Sequence, residues 1–276
     1  MGTQNKEPNT QKIKLSIQVS LNGLSFCALS SPEKKIIFFK EISFPRKLNP
    51  SGVLQQIEKL YYEEEFLKDG DFDVIVQYSN ELYTLVPQKF FDEKNASDYL
   101  KFNTRILETD YVAHDLIEPA GIVNVYIPYT NINNFFFEKY GEFEYRHCIT
   151  TLAENFIKES TSENQKTKVF VNCYPRGYDI VVVKKGQLLL TNSFTCHTKE
   201  DFIYYLLFTA EQLELDPNEF ELILVGKITA NSDYYQIAYR YIRNISFLKT
   251  SFGYIFAVDQ EPPKGYMHYT LLKAFS

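Results

Sequence analysis

The sequence has no tryptophan, only four cysteines, no basic excess and no long apolar run, and these shortages exclude several classes of protein. Cys27, Cys148, Cys173 and Cys196 are scattered, and no two form a C-x-x-C pair, which excludes a zinc ribbon or a thioredoxin-type redox motif. His114, His147, His197 and His268 have no partners at metal-ligand spacing, so no metal site is expected. With 29 Lys and Arg against 35 Asp and Glu, the net charge is −6. A nucleic-acid partner calls for a basic footprint, so none is expected. No stretch reaches the roughly 18 apolar residues of a membrane span. No charged start leads into an apolar signal core either. The expectation is a cytoplasmic chain with reduced thiols and no membrane insertion. Val225-Gly226-Lys227 is not a Walker loop, because Glu221 stands where that motif needs its first glycine.

Aromatic and aliphatic bulk is abundant. Tyr and Phe number 21 and 23, and hydrophobic residues make up 45% of the chain, which points to a folded core packed with rings. The pattern is clearest between Lys168 and Gly226. Lys168–Tyr174 alternates with a period of two, Pro175-Arg-Gly-Tyr178 is a turn, and Tyr178–Val183 is apolar on both faces. Gln187–Thr191 begins a third strand. Thr198 then caps a helix whose first turn carries Glu200 and Asp201 and whose stripe is Phe202, Leu206, Thr209, Ala210 and Leu213. Asp216-Pro217 ends the helix, and Phe220–Val225 is a buried strand.

The same order opens the chain. After a polar tail at 1–12, expected to be disordered, come strands at Lys14–Ser20, Leu24–Leu29 and Ile36–Phe39. A helix capped by Asn49 with Pro50 at its first position follows, stopped by Gly70, and then a strand at Phe72–Val76. A shift of 154 positions (177 − 23) brings Gly23 onto Gly177, and Leu15, Ile17, Val19 and Phe26 onto Val169, Val171, Cys173 and Ile180. The reading is an internal duplication. The middle departs from the repeat: a helix over Ser97–Arg105, a strand over Ala120–Pro128, a short helix over Asn131–Tyr140, a strand over Glu142–Ile149 and a helix capped by Thr150 or Thr151. The polar stretch at 160–165 is a linker between a first lobe at 13–160, with an inserted subdomain at 95–149, and a second lobe at 166–276. In the tail Ser232 caps a helix, Phe247–Thr250 and Tyr254–Val258 are short strands, and Met267–Phe275 is a closing helix after Pro262-Pro263.

Two copies of strand-strand-strand-helix-strand resemble the actin-like ATPase superfamily of sugar kinases, heat-shock chaperones and actins. Among its members the likeness is greatest to the degenerate pilus-assembly and secretion-platform proteins. The chain also resembles a Bacteroidetes family of unknown function expected to share that fold. The resemblance covers residues 13–276 and implies an α/β, two-lobed actin-like fold (a ribonuclease H-like duplication) with mixed sheets flanked by helices. Active members carry an Asp-x-Gly turn in each lobe, whose amides hold phosphate and whose carboxylate positions the metal and attacking water. Here those positions are Gln18-Val-Ser20 and Asn172-Cys-Tyr174, and the adenosine-binding glycine pair falls at Gly226-Lys227. A neutral amide holds Mg²⁺ poorly, and a tyrosine occupies phosphate space.

The resemblance therefore implies a pseudo-ATPase with no catalytic residues and no cofactor, acting as a scaffold through an unidentified protein partner. A homo-oligomer is left open. The alternatives are a divergent ATP and Mg²⁺ switch or nucleotide-dependent enzyme in the cleft between the lobes, and a small-molecule sensor in that cleft. Lys227 reads as a solvated side chain in preference to one that meets an anion in the cleft, and Asp179 as an edge residue, a partner of Arg176 or the acid that the resemblance to chaperones places near this turn. Tyr234, Tyr235, Tyr239 and Tyr241 with Arg240 and Arg243 form a candidate binding face, half of it core by periodicity.

Overall fold

The computed structural model describes residues 13–68, 70–101, 106, 110–160, 166–257 and 265–276. The expected tail at 1–12, most of the 160–165 linker, the end of the Ser97–Arg105 helix and the Pro262-Pro263 break lie outside the described residues.

The chain begins with β1 (Ile13–Ser20), β2 (Gly23–Ser30) and β3 (Lys35–Ser43), then α1 (Pro50–Glu63), a short α2 (Glu65–Lys68) and β4 (Phe72–Ser79). Asn49 caps α1 by accepting from the Gly52 amide at 2.8 Å, with Pro50 in the first turn. After an intervening segment the order returns as β9 (Lys168–Tyr174), β10 (Gly177–Lys184), β11 (Gln187–Thr195), α6 (Lys199–Gln212) and β12 (Glu221–Gly226). Thr198 and Asp201 form a reciprocal capping box at the start of α6. In both units the first strand runs antiparallel to the second and parallel to the fourth.

Two details of backbone geometry also coincide. The register of β2 on β3 shifts between Ala28 and Leu29, and that of β10 on β11 between Val182 and Val183, 154 positions on (182 − 28). A Cβ on Gly23 would press on the Ile42 carbonyl oxygen, and one on Gly177 on the Phe194 carbonyl oxygen. In each case that oxygen belongs to the residue before the glycine's partner in the third strand, Ser43 or Thr195. Both turns hold glycine because the neighbouring strand passes too close for a side chain.

The segment between the units adds β5 (Tyr83–Pro87), α3 (Ala96–Leu100), β6 (Ala113–Ile117), β7 (Ile122–Tyr126), α4 (Thr130–Tyr140), β8 (Glu144–His147) and α5 (Cys148–Glu159). After β12 come α7 (Asp233–Tyr241), β13 (Asn244–Phe247), β14 (Ile255–Phe256) and α8 (Tyr269–Lys273). Three sheets result: β14-β3-β2-β1-β4-β8, β11-β10-β9-β12-β13 and β5-β7-β6.

The second sheet is covered on both faces. Val169, Val171, Ile180, Val182, Leu222 and Leu224 pack under α6 and α7. Phe170, Val181, Val183, Ile223 and Val225 face the other way and join the core of the first sheet. The joint is α5, where the Phe156 ring stacks on Phe170 with centroids 4.1 Å apart. This two-sided burial is why Tyr178–Val183 reads as apolar throughout.

Several boundaries differ from expectation. The strand expected over Glu142–Ile149 stops at His147, which itself caps α5 in place of Thr150 or Thr151. Its Nδ1 accepts from the Ile149 amide at 3.2 Å, a role that a side-chain nitrogen fills as an oxygen would. The strand expected at Phe247–Thr250 lies at Asn244–Phe247, because pairing with β12 sets its register. The expected insertion spans 95–149, whereas the three-stranded sheet draws strands from Tyr83 to Tyr126 and β8 belongs to the first sheet. The C-terminal segment returns to the first sheet, where β14 pairs with β3. Among the described residues, no helix is long and apolar enough to cross a membrane.

Candidate functional site

The turns after β1 and β9 face each other across a cavity of about 270 Å³ between the two large sheets. Gln18, Ser20, Asn172, Tyr174, Gly226 and Lys227 all line it. Residues far apart in sequence meet there because each unit delivers the end of its first strand to the same cleft.

At the first turn Ser20 donates its hydroxyl to the Gly23 carbonyl at 3.0 Å and accepts from the Asn22 amide at 3.2 Å. A turn amide of the kind that would face a phosphate is therefore already engaged. Gln18 accepts from the Thr270 hydroxyl at 3.0 Å. Its neighbour in register, Gln77, donates Nε2 to the Thr270 carbonyl at 2.8 Å. The two glutamines hold the start of α8, a tie between residues 252 positions apart that no sequence period could signal.

At the second turn Asn172 donates Nδ2 to Asp179 at 3.1 Å, and Ser193 donates its hydroxyl to the other carboxylate oxygen at 2.7 Å. Asp179 is buried inside β10, between β9 and β11, and does not pair with Arg176. Asp179 is thus neither an edge residue nor a partner of Arg176, contrary to expectation. The Arg176 guanidinium instead donates to the Pro45 carbonyl at 3.0 Å, tying this turn to the segment after β3. Burial pushes the Asp179 carboxyl up to about 6, against the opposing pull of Ser193, Asn172 and Tyr174.

The sign of that shift gives a test. A carboxyl raised in the folded state favours folding fully below its ordinary pKa, and the contribution is lost as pH rises through about 6. Asp179→Asn keeps a donor and an acceptor and cannot ionise. It is expected to raise stability by ~2 kcal/mol near pH 8 and to change little near pH 4, measured by urea denaturation at both. Equal effects at the two pH values would contradict the assignment.

Lys227 meets an anion in the cleft, the less favoured of its two expected roles, and is not simply solvated. Its ammonium pairs with Glu41 of β3, and His268 Nε2 lies 3.7 Å from the same carboxylate. Burial and the Lys227 charge push His268 down to about 4, so it is neutral at pH 7. Gly226 has φ +80, and a Cβ there would press on the Cys173 carbonyl. The third acid in the wall, Glu81, pairs with Lys47 at 3.1 Å. Glu41, Glu81 and Asp179 thus each have a partner within the chain. The four thiols are buried, and burial pushes Cys27 up to about 12 and Cys196 up to about 11, which makes them poor nucleophiles. Of the tyrosines in the tail, Tyr234 stacks on Phe202 and Tyr235 on Phe247, while Tyr239 and Tyr241 are exposed.

Sequence reading missed Glu41, Gln77, Thr270 and Ser193. Each is an ordinary strand or helix residue whose partner comes from another element. The only local sign was the departure of Gln18 and Asn172 from the expected aspartates.

The paired sheets with a cleft between their turns define the actin-like ATPase fold. A Bacteroides thetaiotaomicron VPI-5482 protein with an actin-like ATPase fold and unknown function superposes with a TM-score of 0.74 at 24% identity, over 87% of this chain and 91% of that one. The PilM-PilN type IV pilus biogenesis complex gives a TM-score of 0.60 at 10% identity, over 96% and 98%. The ethanolamine utilization protein EutJ from Carboxydothermus hydrogenoformans gives 0.50 at 9%, over 97% and 90%. No curated protein matches the sequence. The chain belongs to the family described as "Protein of unknown function (DUF3822)", which matches residues 3–245.

Proposed function

We propose that this chain is a catalytically degenerate actin-like protein, a pseudo-ATPase that works as a scaffold or interaction factor for other proteins. The observation that carries the reading is the state of the cleft. Gln18, in the place of a metal-positioning carboxylate, engages Thr270, and the three acids in the wall are tied to partners within the chain. Breaking the ties at Thr270 and Asp179 to admit Mg²⁺ and a triphosphate leaves buried polar groups unpaired, which is costly, while the more exposed Glu41 and Glu81 pairs add little. The PilM relative occurs in a complex with a second protein, PilN, which supports a docking role for the fold. The matched bulges and turn glycines support an internal duplication, with lobes at 13–160 and 166–276 and a C-terminal segment that returns to the first.

Mg-ATP is expected to leave the melting temperature unchanged at concentrations far above those that saturate active relatives. A ligand at about 100 times its Kd stabilises by ~2.7 kcal/mol, so a rise of several degrees would overturn the reading. The retained cavity favours a second reading, in which the cleft holds a small polar molecule without chemistry. A melting shift with small neutral metabolites and none with Mg-ATP would select it.

A further inference from the structure

α6 is apolar on more than its buried side. Phe202, Leu206 and Ala210 face the sheet, yet Tyr204 and Phe208, one turn apart on the outer face, are 61% and 46% exposed with their rings stacked. The corresponding helix of the first unit, α1, presents Gln55, Glu58, Lys59 and Glu63 around a single tyrosine, Tyr62. Two equivalent helices thus have different outer faces, and only α6 carries a stacked aromatic pair. α7 lies beside α6 on the same face of the second sheet, as their shared core shows. At its C-terminal end Tyr239 and Tyr241 are 64% and 57% exposed.

The charges around these rings have opposite signs. On α6 the exposed acids flanking the rings are Glu200 and Glu211, with one exposed base, Lys199, in the first turn; at the end of α7 the exposed bases are Arg240 and Arg243, and the exposed acid Asp233 lies at the opposite end of that helix. None of Glu200, Glu211, Arg240 and Arg243 has an ion-pair partner among the described residues. We infer that this face is the interface of a two-fold homodimer, in which α6 of each copy lies on α7 of the other. The occupant follows from the charges. Packing α6 on a second α6 would set acid against acid, and α7 on α7 base against base. Crossing them pairs opposite charges and sets Tyr204 and Phe208 of one copy against Arg240 and its flanking tyrosines in the other, and a two-fold axis makes each contact twice. Aromatic rings ringed by charge are the composition of an interface centre.

Sedimentation velocity on the full chain over a range of concentrations tests this, and its outcome does not depend on whether the cleft binds nucleotide. The wild type is expected to be a dimer and Tyr204→Ala/Phe208→Ala a monomer. Two charge-reversed variants decide the geometry: Glu200→Arg/Glu211→Arg on α6 and Arg240→Glu/Arg243→Glu on α7. Each is expected to be monomeric alone, since its α6 and α7 then carry the same sign. Mixed, they are expected to form a heterodimer, because every crossed contact again pairs opposite charges, and that recovery also shows that both variants are folded. A wild type that stays monomeric at the highest concentration overturns the inference. So does a dimer that either reversal leaves intact, or a pair of monomeric variants that fails to associate on mixing.

Discussion

Gly226→Ala is expected to destabilise the protein by about 3–5 kcal/mol, the range of the most damaging single substitutions. Two costs combine. The backbone there has φ +80, where a non-glycine residue is strained by about 1–3 kcal/mol. The added methyl would also press on the Cys173 carbonyl and come within 2.7 Å of Asn172 Oδ1, both held in the central strand β9. That strand cannot retreat, because it pairs with β10 on one side and β12 on the other. Gly253→Ala separates the two costs. Gly253 has φ +65 and nothing within 4 Å of an added Cβ, so only backbone strain of about 1 kcal/mol is expected. Urea denaturation of both variants measures the difference; equal losses would mean that the close approach at Gly226 contributes nothing. The same geometry supplies a structural reason for glycine at this position.

Phe156→Ala is expected to cost about 3–5 kcal/mol by removing the stack that joins the sheets. Phe156 is fully buried on α5, its ring 4.1 Å from Phe170 of the second sheet and 5.4 Å from Tyr269 of α8. The cavity would open where the second sheet's inner face meets the first core, so unfolding is also expected to lose cooperativity, the second unit melting at a different urea concentration from the first. Phe156→Leu keeps most of the volume and is expected to cost roughly 1–2 kcal/mol with a single transition. A single sharp transition in the alanine variant, with a loss below about 1 kcal/mol, would show that the sheets are coupled elsewhere.

Much of the architecture was legible in the chain because local rules and tertiary packing agree. Asn49-Pro50 and Thr198 announce helices that start where expected, although the first ends at Glu63 and not at Gly70, and the matched Gly23 and Gly177 announce two units whose strand order and bulges coincide. β5 and β6 were not read, since Tyr83–Pro87 and Ala113–Ile117 are short and paired only with β7. Their strand character comes from that partner and not from a period of their own. The strand ending at His147 was extended two residues too far for a related reason: His147 caps α5 through a ring nitrogen, which has no standing in the usual set of capping oxygens.

The cleft divides along the same line. That Gln18, Ser20, Asn172 and Tyr174 stand where the resemblance expects Asp-x-Gly turns is visible in the sequence. What those substitutes do instead was decided only by the fold. Gln18 meets Thr270 and Lys227 meets Glu41 because strand ends and the returning C-terminal segment converge on one space. Periodicity reports which face of an element is buried, since that depends on neighbours three or four residues away. It carries nothing about which polar group arrives from another sheet, since that depends on crossover geometry across the whole chain.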